Sequence, residues 1–109
     1  MATVQNIVID QGTTFSLDIN LTNDDASAKD LTNYTVASQM RKSYEASTKT
    51  DFTTVKVDNT GKVTISLTAA QTATLKPGRY LYDVEIASAS ETLRVLEGLV
   101  TVTPEVTKV

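Results

Sequence analysis

Leu67-Thr-Ala-Ala-Gln-Thr-Ala-Thr-Leu-Lys-Pro-Gly-Arg-Tyr-Leu-Tyr-Asp-Val-Glu-Ile86 is the stretch that decides the fold. It reads as the end of a strand, one helical turn, a Pro-Gly turn and a strongly alternating strand. Thr68 is placed to cap the helical turn, with Gln71 three residues on reaching back in a capping box. Pro77-Gly78 suits a type II turn, Pro fixing φ at the first central position and Gly accepting positive φ at the second. Tyr80, Tyr82, Val84 and Ile86 then share one face, with Arg79, Asp83 and Glu85 on the other. That is a half-buried antiparallel strand entered from a corner between two sheets, the grammar of an immunoglobulin-like sandwich.

The rest of the chain repeats the strand pattern. Ile7-Val8-Ile9 gives a short strand stopped by Asp10-Gln11-Gly12, and Phe15, Leu17, Ile19 and Leu21 alternate with polar residues. Tyr34, Val36, Ser38 and Met40 share a face; Ser43 to Thr50 are polar and weakly patterned. Phe52 to Val57 and Val63 to Leu67 form a hairpin about Asp58-Asn59-Thr60-Gly61, with Gly61 left-handed. Ala87 to Glu91 turns into a last strand, Leu93 to Val102, which Pro104 ends. The expected fold is all-β: an immunoglobulin-like antiparallel β-sandwich of about seven strands, with one short helical turn near 69–74. Residues 1–103 form the single domain and 104–109 a C-terminal tail.

Composition narrows the chemistry. The 109 residues leave room for one modest core. A net charge of −3 argues against a nucleic-acid backbone as partner. With no cysteine and no histidine, the commonest base and the soft metal ligands are missing. No serine has an activating partner and no Gly-x-Ser-x-Gly elbow is present, so no catalytic, cofactor-binding or metal residue is expected. Met1 leads into Ala2-Thr3-Val4-Gln5-Asn6 without a basic region or apolar core, which reads as a soluble chain made in the cytoplasm without a leader. No apolar run reaches membrane-spanning length.

Three features invite a binding reading. The Asn23-Asp24-Asp25 loop with Asp30 offers oxygen ligands for calcium, but a solvated turn of Asx residues capping their own backbone explains it more simply. Tyr80 and Tyr82 offer stacking faces for sugar, yet they share the face of Val84 and Ile86 and so read as core tyrosines. Tyr44 lies beside Arg41, Lys42 and Glu45 and reads as an exposed aromatic. The last strand is the main anomaly: Leu93, Val95 and Leu99 fall on one face and Leu96, Val100 and Val102 on the other, with a bulge suggested at Gly98. A strand apolar on both faces is either kinked between sheets or covered by a neighbouring subunit, with the tail reaching across.

Taken in order, Asp10-Gln11-Gly12-Thr13-Thr14-Phe15, Asp30-Leu31-Thr32-Asn33-Tyr34-Thr35, Met40-Arg41-Lys42-Ser43-Tyr44, the Leu67–Leu75 turn, Pro77 to Val84, and Glu97-Gly98 before Val100-Thr101-Val102-Thr103-Pro104 form a recognisable succession. The sequence resembles the small immunoglobulin-like modules of tailed-bacteriophage virion proteins, in tail, baseplate and adsorption components, and similar small proteins of T4-like cyanophages. The resemblance implies a non-enzymatic structural component of the virion, in tail, baseplate or neck, acting through protein–protein contacts in a symmetric assembly. Capsid decoration and a host-surface glycan- or protein-binding module are the alternatives. It implies no catalytic residues. Larger phage proteins append such modules to fibre or coiled-coil regions that this sequence lacks, which leaves the place in the particle open. The expected partners are other virion proteins and copies of the chain itself, in a homo-oligomer or array, with no nucleic acid and no membrane. The expected contact residues are Arg41, Tyr44, Leu96, Val100, Val102 and Val106.

Overall fold

Strands in this chain follow its period-2 alternation, and the computed structural model describes them through residues 3–23, 27–43 and 49–106. They are β1 Thr3–Val4, β2 Ile7–Asp10, β3 Phe15–Asn20, β4 Thr35–Arg41, β5 Thr50–Asp51, β6 Thr53–Val57, β7 Lys62–Leu67, β8 Gly78–Ala87 and β9 Thr92–Thr103, with one helix, α1 Ala69–Ala73. The larger sheet has the order β1-β9-β8-β4-β5, with β2 also on β9; the smaller is β3-β7-β6. The fold is an all-β sandwich, as the alternation predicts.

Two differences have local causes. The nine strands are seven paths, two of them broken. The first path is interrupted at Gln5-Asn6 yet keeps one register against β9, Val4 opposite Glu97 and Ile7 opposite Val100. The other changes sheets at buried Phe52, whose N–H donates to Ser38 O at 3.0 Å, so β5 pairs with β4 while β6 pairs with β7. The larger sheet is also mixed rather than antiparallel, because β1 and β2 run parallel to β9. A parallel pair needs a long connection, and between the first and last strands nearly the whole chain supplies it.

The core forms where the inward faces meet. Ile7 and Ile9 of β2, Met40 of β4, Tyr80, Tyr82, Val84 and Ile86 of β8, and Leu96, Val100 and Val102 of β9 close over Val63, Ile65 and Leu67 of β7. Phe52 bridges the sheets between Phe15 and Tyr82, at centroid distances of 5.9 and 6.3 Å. The capping box is present: Gln71 N–H donates to Thr68 Oγ1 and Thr68 N–H to Gln71 Oε1. Thr72, fully buried in that turn, donates its hydroxyl to Thr13 O at 2.7 Å. Gly78 does take a positive φ, 140°, but already stands opposite Val102 at the start of β8. Two residues on, Tyr80 donates its hydroxyl back to Lys76 O at 2.7 Å, the tyrosine corner of immunoglobulin-like domains.

Candidate functional site

The last strand has to be rebuilt first, because its parity decides which residues face out. Val84 pairs with Leu96, but Glu85 pairs with Arg94, so Val95 is the extra residue of a bulge. The bulge flips the alternation. Leu93 turns to the core side opposite buried Ile86, while Arg94 turns outward to Asp83 (3.3 Å) and Glu85 (3.8 Å). The expected placement at Gly98 is corrected: Gly98 pairs regularly with Tyr82. Its glycine serves a close approach instead, since a Cβ there would stand 2.2 Å from Gln5 O.

This register also corrects the expected contacts. Leu96, Val100 and Val102 are at most 3% exposed and fill the sandwich interior. The two-sided apolar pattern arises because β9 covers the core with one face and presents Leu99, 37% exposed, with the other. Val106 is fully exposed on the segment after β9 but lies apart from the concavity described next. Tyr44 falls outside the described residues. Arg41, at the end of β4, is part of the site, with Nη2 donating to Gln39 Oε1 at 3.2 Å.

The site is a concavity of about 560 Å³ on the outer face of the larger sheet. Two cross-strand rows build it. One runs Leu99, Leu81, Arg41 across β9, β8 and β4, and ends at Asn6, whose Oδ1 accepts the Leu99 N–H at 3.0 Å. The other runs Val4, Glu97, Asp83, Gln39 across β1, β9, β8 and β4. The directly opposed Leu81 and Leu99 give an apolar floor, extended by Val4 at 70% exposure; Arg41, Asp83, Arg94 and Glu97 make a charged rim. An apolar centre inside a polar rim is the anatomy of a protein-binding surface.

Asp83 and Glu97 are opposed acids that the sequence alone does not reveal, but Arg94 already engages Asp83 in an exposed ion pair. Among the described residues no group of three or more His, Cys, Asp or Glu is placed to hold a metal ion. Asp30 forms the expected Asx turn: its Oδ1 accepts from Thr32 Oγ1 (2.5 Å) and Thr32 N–H (2.9 Å), which hold the carboxyl below its usual range. Tyr80 and Tyr82 are buried, with both hydroxyls spent on backbone carbonyls, so neither offers a face for sugar. No described helix is long and apolar enough to cross a membrane.

No protein-family model matches the sequence, and no curated protein does. Among solved structures, the chain is similar to InlP of Listeria monocytogenes, at 15% identity and a TM-score of 0.52, over 94% of this chain and 28% of that one. A family 123 glycoside hydrolase from Clostridium perfringens is similar over 96% of this chain and 24% of that one, at 13% identity and a TM-score of 0.45. The chain thus spans about a quarter of the length of these structures. The first similarity supports the fold alone, and the second carries no argument.

Proposed function

We propose that this chain is a non-catalytic interaction module, a structural component of a tailed-phage virion whose contact surface is the outer face of the larger sheet. The observation that carries the interaction role is the Leu81–Leu99 floor. These two leucines face away from the core on a sheet face that also exposes Val4 and Val8 among mainly charged and polar residues. The virion setting rests on the succession of sequence stretches that resembles phage modules. A rigid sandwich repeated around a symmetric particle gains affinity through effective concentration, so each contact need only be weak. Glycan recognition is the weaker alternative, since among the described residues no exposed aromatic ring lines the concavity.

Immunogold electron microscopy tests the setting, with antibody raised to the recombinant chain and particles purified from the source phage. Label at one defined place on head or tail is the expected result; no label on intact or disrupted particles would overturn it. The surface is tested by adding back recombinant protein to particles that lack it. The doubly substituted Leu81→Glu, Leu99→Glu chain is expected to fold and fail to bind.

A further inference from the structure

We infer that β3 is an unguarded sheet edge through which two copies of this chain pair antiparallel about Leu17, forming a symmetric dimer. This rests on β3 alone and not on the outer face of the larger sheet.

Exposed edges invite pairing with another chain unless something blocks them. Three of the four edges here carry a block. The β1–β2 edge is broken at Gln5-Asn6, and β5 is two residues long. On β6, Lys56 pairs with core residue Val63 and so points inward, its Nζ donating to Leu31 O at 3.0 Å; an inward charge is a known guard. β3 has none of these, and its one charge, Asp18, is held on the outer face by Thr64 Oγ1 (2.7 Å) and Lys62 Nζ (3.5 Å) of β7. It is six residues long, regular and free of proline, and among the described residues only β7 pairs with it.

The ladder says which groups are free. Leu21 N–H donates to Gly61 O, in register with the Phe15–Leu67 to Asn20–Lys62 pairing. Hydrogen-bonded positions alternate along an antiparallel ladder, so Phe15, Leu17 and Ile19 spend their backbone groups on β7. The N–H and C=O groups of Ser16, Asp18 and Asn20 therefore point to the open side. Phe15, Leu17 and Ile19 are also only partly buried, although their side chains face the core.

A second copy fits this edge with the dyad at Leu17. With Leu17 opposite Leu17 at a non-hydrogen-bonded position, Ser16 stands opposite Asp18 and Phe15 opposite Ile19. Each Ser16–Asp18 rung exchanges both main-chain hydrogen bonds, and a hydroxyl meets a carboxylate on the outer face. Moving the dyad to Asp18 opposes two carboxylates, which is unfavourable. The symmetric register joins two three-stranded sheets into one continuous sheet and covers the partly open apolar face of β3.

Sedimentation of the full chain and of Ser16→Pro tests the inference. Ser16 N–H faces the open edge and its side chain is exposed, so proline there removes no β7 bond. The wild-type chain is expected to be a dimer and the variant a monomer with an unchanged circular-dichroism spectrum. Residue-resolved hydrogen exchange on the unmutated chain gives a second readout that needs no variant. The Ser16 and Asp18 amides should slow by about ten-fold or more as concentration rises through the dimer range. A chain that stays monomeric up to its solubility limit overturns the inference. So does a dimer in which those two amides exchange as fast as in loops.

Discussion

Tyr82 lies 4% exposed and donates its hydroxyl to Gln5 O at 2.6 Å, tying the core to the break in the first strand path. Burial pushes its phenol up to about 12, from an ordinary value near 10. The fold therefore favours the neutral ring. That stability is whole below pH 10 and is lost as pH rises through about 12. Denaturant unfolding across pH 8 to 12 is expected to show an alkaline decline that Tyr82→Phe flattens, at a cost of about 1 kcal/mol at neutral pH for the lost hydrogen bond. Asp30 has the opposite sign. Its depressed carboxyl supports the fold above about pH 4 and ceases to as pH falls further, so Asp30→Asn should blunt the acid decline. At Gly98 the new methyl of Gly98→Ala would meet backbone at Gln5, and the first strand path must shift. A loss of about 1–3 kcal/mol in chemical denaturation is expected; an unchanged midpoint would remove the close approach as the reason for glycine.

At the scale of elements, β9 separates what alternation can show from what it cannot. Its bulge at Val95 falls between Arg94 and Leu96, where both faces carry apolar residues. The one sign of the parity change is that a regular strand would have turned Arg94 to the core side with Leu96. Glycine content pointed to Gly98, where the real constraint is an incoming backbone rather than an added residue. The capping box and the left-handed turn at Gly61 were legible because each is written within a few neighbouring residues, whereas the Tyr80 hydrogen bond to Lys76 O was not read from them. The site was not, apart from Arg41, because Leu81 meets Leu99, and Asp83 meets Glu97, only through the register of distant strands. One signal did exist: Leu81 breaks the charged series Arg79, Asp83, Glu85 on the outer face of β8. The two faces of β9 should answer differently to the same charge. Leu96→Asp buries an unpaired carboxylate and is expected to cost more than about 3 kcal/mol, while Leu99→Asp should stay within about 0.5 kcal/mol. Thermal melts of the pair decide it; equal losses would place Leu99 in the core as well.

For the molecule as a whole, the two sheets divide the labour. The larger sheet presents a broad face with a charged rim, and the smaller one presents an open edge. The two surfaces should therefore fail independently: Leu81→Glu with Leu99→Glu should abolish attachment to particles yet leave the sedimentation state of the free chain alone. Melting temperatures matching wild type within a few degrees would show that the lost attachment is not lost folding.

The parallel pairing of the first and last strands carries a mechanical consequence. Thr3 lies beside Leu96 and Asp10 beside Thr103, so the chain enters the sheet at one end of this pair and leaves it at the other. Tension between the two ends would drag β2 and β9 lengthwise past each other. Every rung from Ile7–Val100 to Asp10–Thr103 would then bear load at once, whereas strands peeled apart break their rungs singly. Pulled end to end, this sandwich should yield abruptly and at high force.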